Sequence, residues 1–296
     1  MTGGSKAGAP ADRRTIAAAQ LEAILSSPSY SEADHDISFL DSAETRGVRL
    51  QLDYLKAELM LASYDVEHTI VVFGSAQIGD PAAARARCEE ADAAAARDPA
   101  DAALAREAAL ARRLLANSRY YDVARELGRF VGRLSDSARG RRMIIMTGGG
   151  PGIMEAANRG ATDVGAPSAG LNIHLPQPQP PNAFVTPQLA FQFHYFAIRK
   201  LHLLLRARAL VAFPGGFGTL DELFETLTLV QTRKIAPLPV VLVGREFWDR
   251  ALDLDFLCAE GVIDAADRTL FTYAESAPQI WQSILQWHAA RGAPLA

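Results

Sequence analysis

The feature that most constrains the fold is a regular alternation of short apolar segments with longer amphipathic ones. The short segments are rich in β-branched residues and predict buried strands, namely TIVVF (69–73), MIIMT (143–147), AGLNIHL (169–175), ALVAF (209–213), LPVVLVG (238–244) and an edge strand around 269–273. The intervening segments predict helices, namely 118–134, 150–162, 191–208, 220–232 and a final helix near 276–289. This alternation predicts a doubly wound α/β fold with a mostly parallel sheet and helices on both faces.

The remaining segments predict a less regular periphery. Residues 1–35 are rich in Gly, Ala, Ser and Pro, which predicts disorder apart from a short helix at 14–26. Residues 36–296 are predicted to form a single domain that begins with one or two helices within 37–62. The alanine-rich stretch 80–118 predicts an inserted helical hairpin, with Asp98 capping a second helix that starts at Pro99.

Composition excludes several classes of protein. The chain has 30 Lys and Arg against 34 Asp and Glu, so no overall positive field favours nucleic acid or an anionic membrane. The sequence has no apolar run of membrane-spanning length and no signal-peptide pattern. The two cysteines are far apart and typical of free thiols, so we predict a cytoplasmic protein. No residue cluster has metal-ligand spacing, so no metal is expected.

Two glycine clusters, Gly148–Gly152 and Gly215–Gly218, each follow a predicted strand and open a predicted helix. A glycine loop at a helix N-terminus lets an anion approach backbone N–H groups, and the helix dipole favours the negative charge. Neither cluster fits the dinucleotide fingerprint or the triphosphate-binding loop. Either cluster alone is equally compatible with a tight turn, whereas two on neighbouring strands favour a phosphate site to which Thr219 donates a hydrogen bond.

Four sets of charged or titratable residues can be interpreted without assigning them a part in catalysis. Glu222 could simply complete a capping box with Thr219. Arg199 shares a helical stripe with aromatic and leucine side chains, so it is either an amphipathic edge residue or is turned toward a buried anion. Asp221 and Glu225 are expected to favour the helix N-terminal end or to face solvent. The three histidines His174, His194 and His202 lack ligand spacing and are expected at the surface or behind the site.

Taken together, GGGPGIMEAANRGA, the Arg199-Lys200 pair and PGGFGTLDE resemble the LONELY GUY family of cytokinin riboside 5′-monophosphate phosphoribohydrolases, once labelled lysine decarboxylases. The resemblance covers roughly residues 38–290. It implies a Rossmann-like fold, a homodimer or larger homo-oligomer with sites at a subunit interface, and no cofactor. It also implies cleavage of the N-glycosidic bond of a nucleoside 5′-monophosphate to free base and ribose 5-phosphate.

The resemblance also assigns residues. It implies that Arg199 and Glu222 are catalytic. The substrate-binding residues that it implies are Gly74, Ser75, Gly148, Gly149, Gly150, Gly152, Met154, Glu155, Lys200, Gly215, Gly216, Gly218, Thr219 and Thr228.

This chain departs from the family pattern in three places, and two other functions compete. Relatives often carry a glutamate where this chain reads PQPQPPN (176–182), so base recognition is left open. The alanine-rich hairpin and the long N-terminal segment have no place in the compact plant enzymes, which favours plain AMP over a cytokinin nucleotide. A nucleotide or cofactor carrier without turnover is the main alternative, but retention of both Arg199 and Glu222 argues against it. A pyridoxal-phosphate decarboxylase needs a Schiff-base lysine, and only Lys200 and Lys234 lie near the glycine loops. Lys200 stands beside an arginine that would oppose the electron sink of the cofactor, which argues against this function.

Overall fold

The computed structural model describes residues 13–134, 142–176, 180–292 and 295. The chain falls into two compact units, Met1–Leu52 and Asp53–Ala296. Of the segment 1–35 predicted to be disordered, residues 1–12 lie outside the described residues. The predicted helix at 14–26 is present as Arg13–Leu25, and Pro28–Tyr30 form a 3₁₀ turn that was not expected. In the first unit Asp36 caps a short helix by accepting a hydrogen bond from the backbone N–H of Phe39 at 3.0 Å.

The helices are numbered in chain order. They are α1 (Arg13–Leu25), α2 (Ile37–Leu40), α3 (Arg46–Ser63), α4 (Pro81–Arg97), α5 (Ala102–Asn117), α6 (Arg119–Leu134), α7 (Ile153–Thr162), α8 (Phe196–Leu205), α9 (Phe217–Gln231), α10 (Arg245–Ala251), α11 (Leu254–Ala259) and α12 (Ala277–Ala289). Three short 3₁₀ turns lie at Pro28–Tyr30, Pro187–Leu189 and Ala265–Thr269. Among the described helices, none combines the length and the apolar composition needed to cross a bilayer.

The second unit is built on one seven-stranded sheet. Its strands are β1 (Val66–Phe73), β2 (Arg142–Thr147), β3 (Ser168–Ile173), β4 (Ala190–Phe193), β5 (Ala207–Ala212), β6 (Val240–Val243) and β7 (Phe271–Ala274). All pairings are parallel and the order is β4-β3-β2-β1-β5-β6-β7. The predicted doubly wound α/β fold is confirmed. The strand order reverses between β1 and β5, which is the position where such folds bind ligands.

Helices cover both faces of the sheet because alternate side chains of each strand point to opposite faces. Ile70 and Val72 of β1 join a buried cluster that includes residues of α6, α7 and α12. Val71 and Phe73 join the opposite cluster, which includes residues of α8 and α9. All four side chains are at most 4% exposed. This two-sided core fixes the carboxyl ends of the central strands.

One predicted helix proved wrong in its first part. Residues 191–208 were expected to be helical throughout, but Ala190–Phe193 form strand β4 and the helix begins at Phe196. Phe191 and Phe193 are buried while Ala190 and Gln192 are exposed, which is the two-residue period of a strand. Pairing with β3 therefore determines the conformation here. The short helices α10 and α11 were also missed.

The inserted hairpin is present, but its predicted cap was wrong. The second helix begins at Ala102, and the side chain of Asp101 accepts the backbone N–H of Ala103 at 2.7 Å. Asp98 instead ends the first helix. The pairing of an aspartate cap with a proline in the first turn occurs one helix earlier, at Asp80 and Pro81.

His202 is completely buried, so of the two positions expected for it the surface one is wrong. Its Nε2 lies 3.0 Å from the carbonyl oxygen of Tyr54, and its ring stacks on the Tyr54 ring. Burial lowers the pKa of His202, so the ring stays neutral near pH 7.

Candidate active site

Three loops meet at the carboxyl edge of the central strands. Gly74 and Ser75 follow β1, which lies between β2 and β5, the strands that lead into the two glycine clusters. The backbone N–H of Ser75 donates to the carbonyl oxygen of Pro214 at 2.9 Å. Its carbonyl oxygen in turn accepts the N–H of Ile153, the first residue of α7, at 3.2 Å. The loop after β1 thus joins both glycine clusters.

The first cluster is held by its own packing. Gly149 and Gly152 have φ of +74° and +72°, a conformation that side chains other than glycine rarely adopt. The N–H of Gly149 donates to the Thr147 hydroxyl at 2.9 Å, and the Asn182 amide donates to the Gly150 carbonyl at 2.9 Å. A Cβ at Gly152 would meet the carbonyl oxygen of Ser75. These glycines are required by the loop itself, whether or not an anion binds.

The second cluster is different because part of it faces open space. A Cβ at Gly215 would overlap the Thr219 side chain, whereas a Cβ at Gly216 or Gly218 would have no atom within 4 Å beyond its own neighbours. Both residues are exposed and lie in the first turn of α9 or just before it. A ligand could therefore approach the N-terminus of α9, where backbone N–H groups are unpaired within the helix.

The capping box proposed for Glu222 does not form. Helix α9 begins at Phe217 with Gly216 at the cap position, so Thr219 is the third helical residue. The cap makes no side-chain hydrogen bond. The glycines let the helix start earlier than a threonine cap would allow, and the structural explanation for Glu222 is therefore wrong.

Glu222 instead faces Arg199. The distance from Glu222 Oε1 to Arg199 Nη1 is 4.0 Å, and the two side chains are 7% and 12% exposed. Arg199 is held by donation from Nε to the carbonyl oxygen of Leu171 in β3, at 2.8 Å. A Cβ at Gly148 would lie within 2.7 Å of Arg199 Nη2, so only glycine there leaves room for the guanidinium. The interpretation of Arg199 as an amphipathic edge residue is wrong.

Burial dominates the electrostatics of this pair. Desolvation raises the pKa of Glu222 to about 7, although the positive charges of Arg199 and Lys200 oppose the shift. Desolvation also lowers the pKa of Arg199, while Glu222 opposes that change. Glu222 is thus a carboxyl group that can gain or lose a proton near neutral pH, which suits a general base.

Lys200 lies beside the pair but has partners of its own. Its ammonium group is 2.8 Å from Asp221 and 3.2 Å from Glu225, both on α9. The expectation that these carboxylates only favour the helix end or face solvent is therefore incomplete, because they bind Lys200 and tie α8 to α9. The tie holds the helix that carries Arg199 against the helix that carries Glu222.

The other predicted substrate-binding residues are divided between the site and its surroundings. Met154 lies against the Gly148 position, and Glu155 accepts a hydrogen bond from the Tyr121 hydroxyl at 2.8 Å. Thr228 is nine residues beyond Thr219, about 13 Å along the helix at the usual rise. It is exposed and lines a small apolar cavity of about 110 Å³. The structure therefore does not bring Thr228 to the glycine loops.

Sequence reasoning missed Asp53, which orients α8. Its carboxylate accepts the backbone N–H groups of His194 and Tyr195 at 3.0 and 2.9 Å, at the start of the helix that carries Arg199. Asp53 precedes these partners by more than 140 residues, and nothing in its local sequence marks the contact. A carboxylate at this position complements the helix N-terminus.

Comparisons with known proteins agree with this arrangement over part of the chain. Residues 154–284 match the model of a family described as possible lysine decarboxylase. The chain is 37% identical over 84 residues to the probable cytokinin riboside 5′-monophosphate phosphoribohydrolase LOG4 of Oryza sativa subsp. japonica, covering 28% of this chain and 36% of that protein. It is 34% identical over 91 residues to the phosphoribohydrolase LOG2 of Arabidopsis thaliana, covering 30% and 42%. The matched segments thus span less than half the length of these curated relatives.

Solved structures are more distant. The Moco carrier protein of Chlamydomonas reinhardtii is 21% identical with a TM-score of 0.44, covering 76% of this chain and 99% of that one. The molybdenum cofactor binding protein of Rippkaea orientalis is 21% identical with a TM-score of 0.41, covering 57% and 87%. At these scores neither similarity bears on function. The family match and the plant relatives confirm, for this part of the chain, the resemblance to the LONELY GUY family that the glycine motifs predict.

Proposed function

We propose that the protein hydrolyses the N-glycosidic bond of a purine nucleoside 5′-monophosphate, releasing the free base and ribose 5-phosphate. The observation that carries this proposal is the nearly buried pair of Arg199 and Glu222, 4.0 Å apart beside the Gly148 loop. A buried carboxyl group with a pKa of about 7 has no structural role in the helix cap and is suited to proton transfer.

The 5′-phosphate binds at the start of α9 in this proposal. Gly216 and Gly218 leave open space there, and the helix dipole favours an anion. Glu222 lies one turn beyond Thr219 on the same helix, so a phosphate at the N-terminus leaves the ribose to extend toward the carboxylate. Binding energy from the phosphate then positions the sugar for reaction.

Each charged group has a distinct part in the chemistry. Cleavage of the C1′–N bond builds positive charge on the ribose, as in glycoside hydrolysis. The Glu222 carboxylate stabilises that charge and takes a proton from the attacking water, which adds its oxygen to C1′. The Arg199 guanidinium contacts the nucleotide and stabilises the electron pair that leaves with the base. The similarity to two plant proteins named as phosphoribohydrolases supports this reaction type.

The test is to incubate the protein with a panel of nucleoside 5′-monophosphates under single-turnover conditions and to measure the released base by chromatography. Wild-type protein should release adenine from AMP, and Glu222→Gln should lower the rate by about 10²-fold or more. Glu126→Gln, which removes an exposed carboxylate from α6, is the control and should retain most of the rate. Tight binding of AMP without release of base would instead support the carrier alternative.

A further inference from the structure

A second cleft lies apart from the Arg199–Glu222 pair, beside the helix α10 that follows β6. It has a volume of about 430 Å³ and is formed by the end of α5, the start of α6 and α10. This volume falls within the range of roughly 300–1,000 Å³ that is usual for small-molecule sites. None of the residues assigned to the proposed reaction lines it.

The cleft is strongly basic for a chain with a net charge of −4. Arg113, Arg119 and Arg250 line it from three helices, and Glu246 is the one acid among the lining residues. Within the described part of the chain, no carboxylate lies within 4.0 Å of any of these three guanidinium groups. All three arginines are exposed, so solvent screens their mutual repulsion, and an anion that enters the cleft meets guanidinium donors from three helices.

Two features suit the cleft to an organic phosphate. Arg119 is held in place, because one N–H donates to the Tyr120 hydroxyl at 2.9 Å and its guanidinium lies 4.8 Å from the Tyr120 ring centroid. Its other N–H groups remain able to donate to phosphate oxygens. The half-buried Phe247 and the amide of Asn117 also line the cavity, offering an apolar surface and a polar contact beside the arginines.

We propose that this cleft binds a small phosphorylated ligand of at least two negative charges, separately from the reaction site. The guanidinium groups hold the phosphate groups, and Phe247 contacts any organic part that the ligand carries. The proposal does not depend on the reaction assigned to Arg199 and Glu222.

The test is calorimetric titration of the full chain with inorganic pyrophosphate and, separately, with ADP, at low ionic strength. The double variant Arg113→Gln/Arg250→Gln should weaken binding at least about tenfold, as expected for loss of charge-assisted hydrogen bonds. Arg106→Gln, which removes an exposed charge from the same helix outside the cleft, should bind as wild type does. Arg199→Ala, which alters only the reaction site, should bind pyrophosphate and ADP in the second cleft as tightly as wild type does.

The outcomes separate the ligands and the sites. Tighter binding of ADP than of pyrophosphate identifies a nucleotide as the ligand, and the reverse order identifies an inorganic or smaller phosphate. The proposal is overturned if the double variant binds less than tenfold more weakly, if Arg106→Gln loses as much, or if Arg199→Ala abolishes all binding. The double variant should match wild type both in its thermal melt and in its release of adenine from AMP.

Discussion

Glu222 is an acid whose charged form is costly to the fold. Its pKa rises from 4.5 to about 7, so between these values the folded protein holds a proton that the unfolded chain has released. The contribution of this group to the free energy of unfolding is therefore fully present below about pH 4.5. It falls as pH rises from there through about 7, the pKa of the folded state. At 1.36 kcal/mol per unit, the shift corresponds to about 3 kcal/mol.

We accordingly expect Glu222→Gln to be more stable than wild type in mildly alkaline solution, because glutamine resembles the protonated acid. Urea unfolding at about pH 8 and about pH 5 measures this, and the gain should shrink at the lower pH. Glu126→Gln, which removes an exposed carboxylate from α6, is the control and should show no such gain. A destabilised Glu222→Gln at both pH values would contradict the burial argument.

The same proton should control the reaction. If the ionised carboxylate of Glu222 is the active form, kcat/KM for AMP should fall as pH decreases below about 7 and level off above it. Initial rates across this range give the profile. The residual activity of Glu222→Gln should lack the inflection, and an unchanged profile in that variant would assign the titration to another group.

At the scale of elements, α9 carries both the predicted phosphate site and the predicted base. AMP should be hydrolysed at least about 10²-fold faster than adenosine, since loss of the charge-assisted phosphate contacts costs several kcal/mol at about 1.4 kcal/mol per tenfold. Gly218→Val fills space that is open in the fold, so it should raise KM for AMP while leaving the thermal melt unchanged. Equal rates for AMP and adenosine in wild type would contradict a phosphate site at this helix.

The elements also show what the sequence could predict. The strand β1 and both glycine loops were predictable, because a short β-branched run followed by glycine is a local pattern. β4 was not separated from α8, since the alternation in four residues is hidden beside a longer apolar helix. The Arg199–Glu222 pair was suggested only by the resemblance. The contact of Asp53 with the start of α8 depends on the tertiary fold and leaves no local pattern.

At the scale of the whole molecule, large apolar side chains are exposed near the site. Phe217, the first residue of α9, is 92% exposed, and Phe196, the first residue of α8, is 50% exposed. Exposed apolar groups gathered on neighbouring helices favour self-association, and the family resemblance implies a homo-oligomer. Light scattering at micromolar concentration should show at least a dimer. Phe217→Asp should shift the distribution toward monomer, and a fully active wild-type monomer would contradict the expectation.

The reversal of strand order between β1 and β5 has a consequence for how the protein matures. The first four strands contain the Gly148 loop, while Arg199 lies on the connection that returns from β4 to β5, and Glu222 follows β5. A nascent chain that ends at β4 therefore lacks both Arg199 and Glu222. The proposed reaction needs both residues, so it requires the later half of the chain to dock against β1.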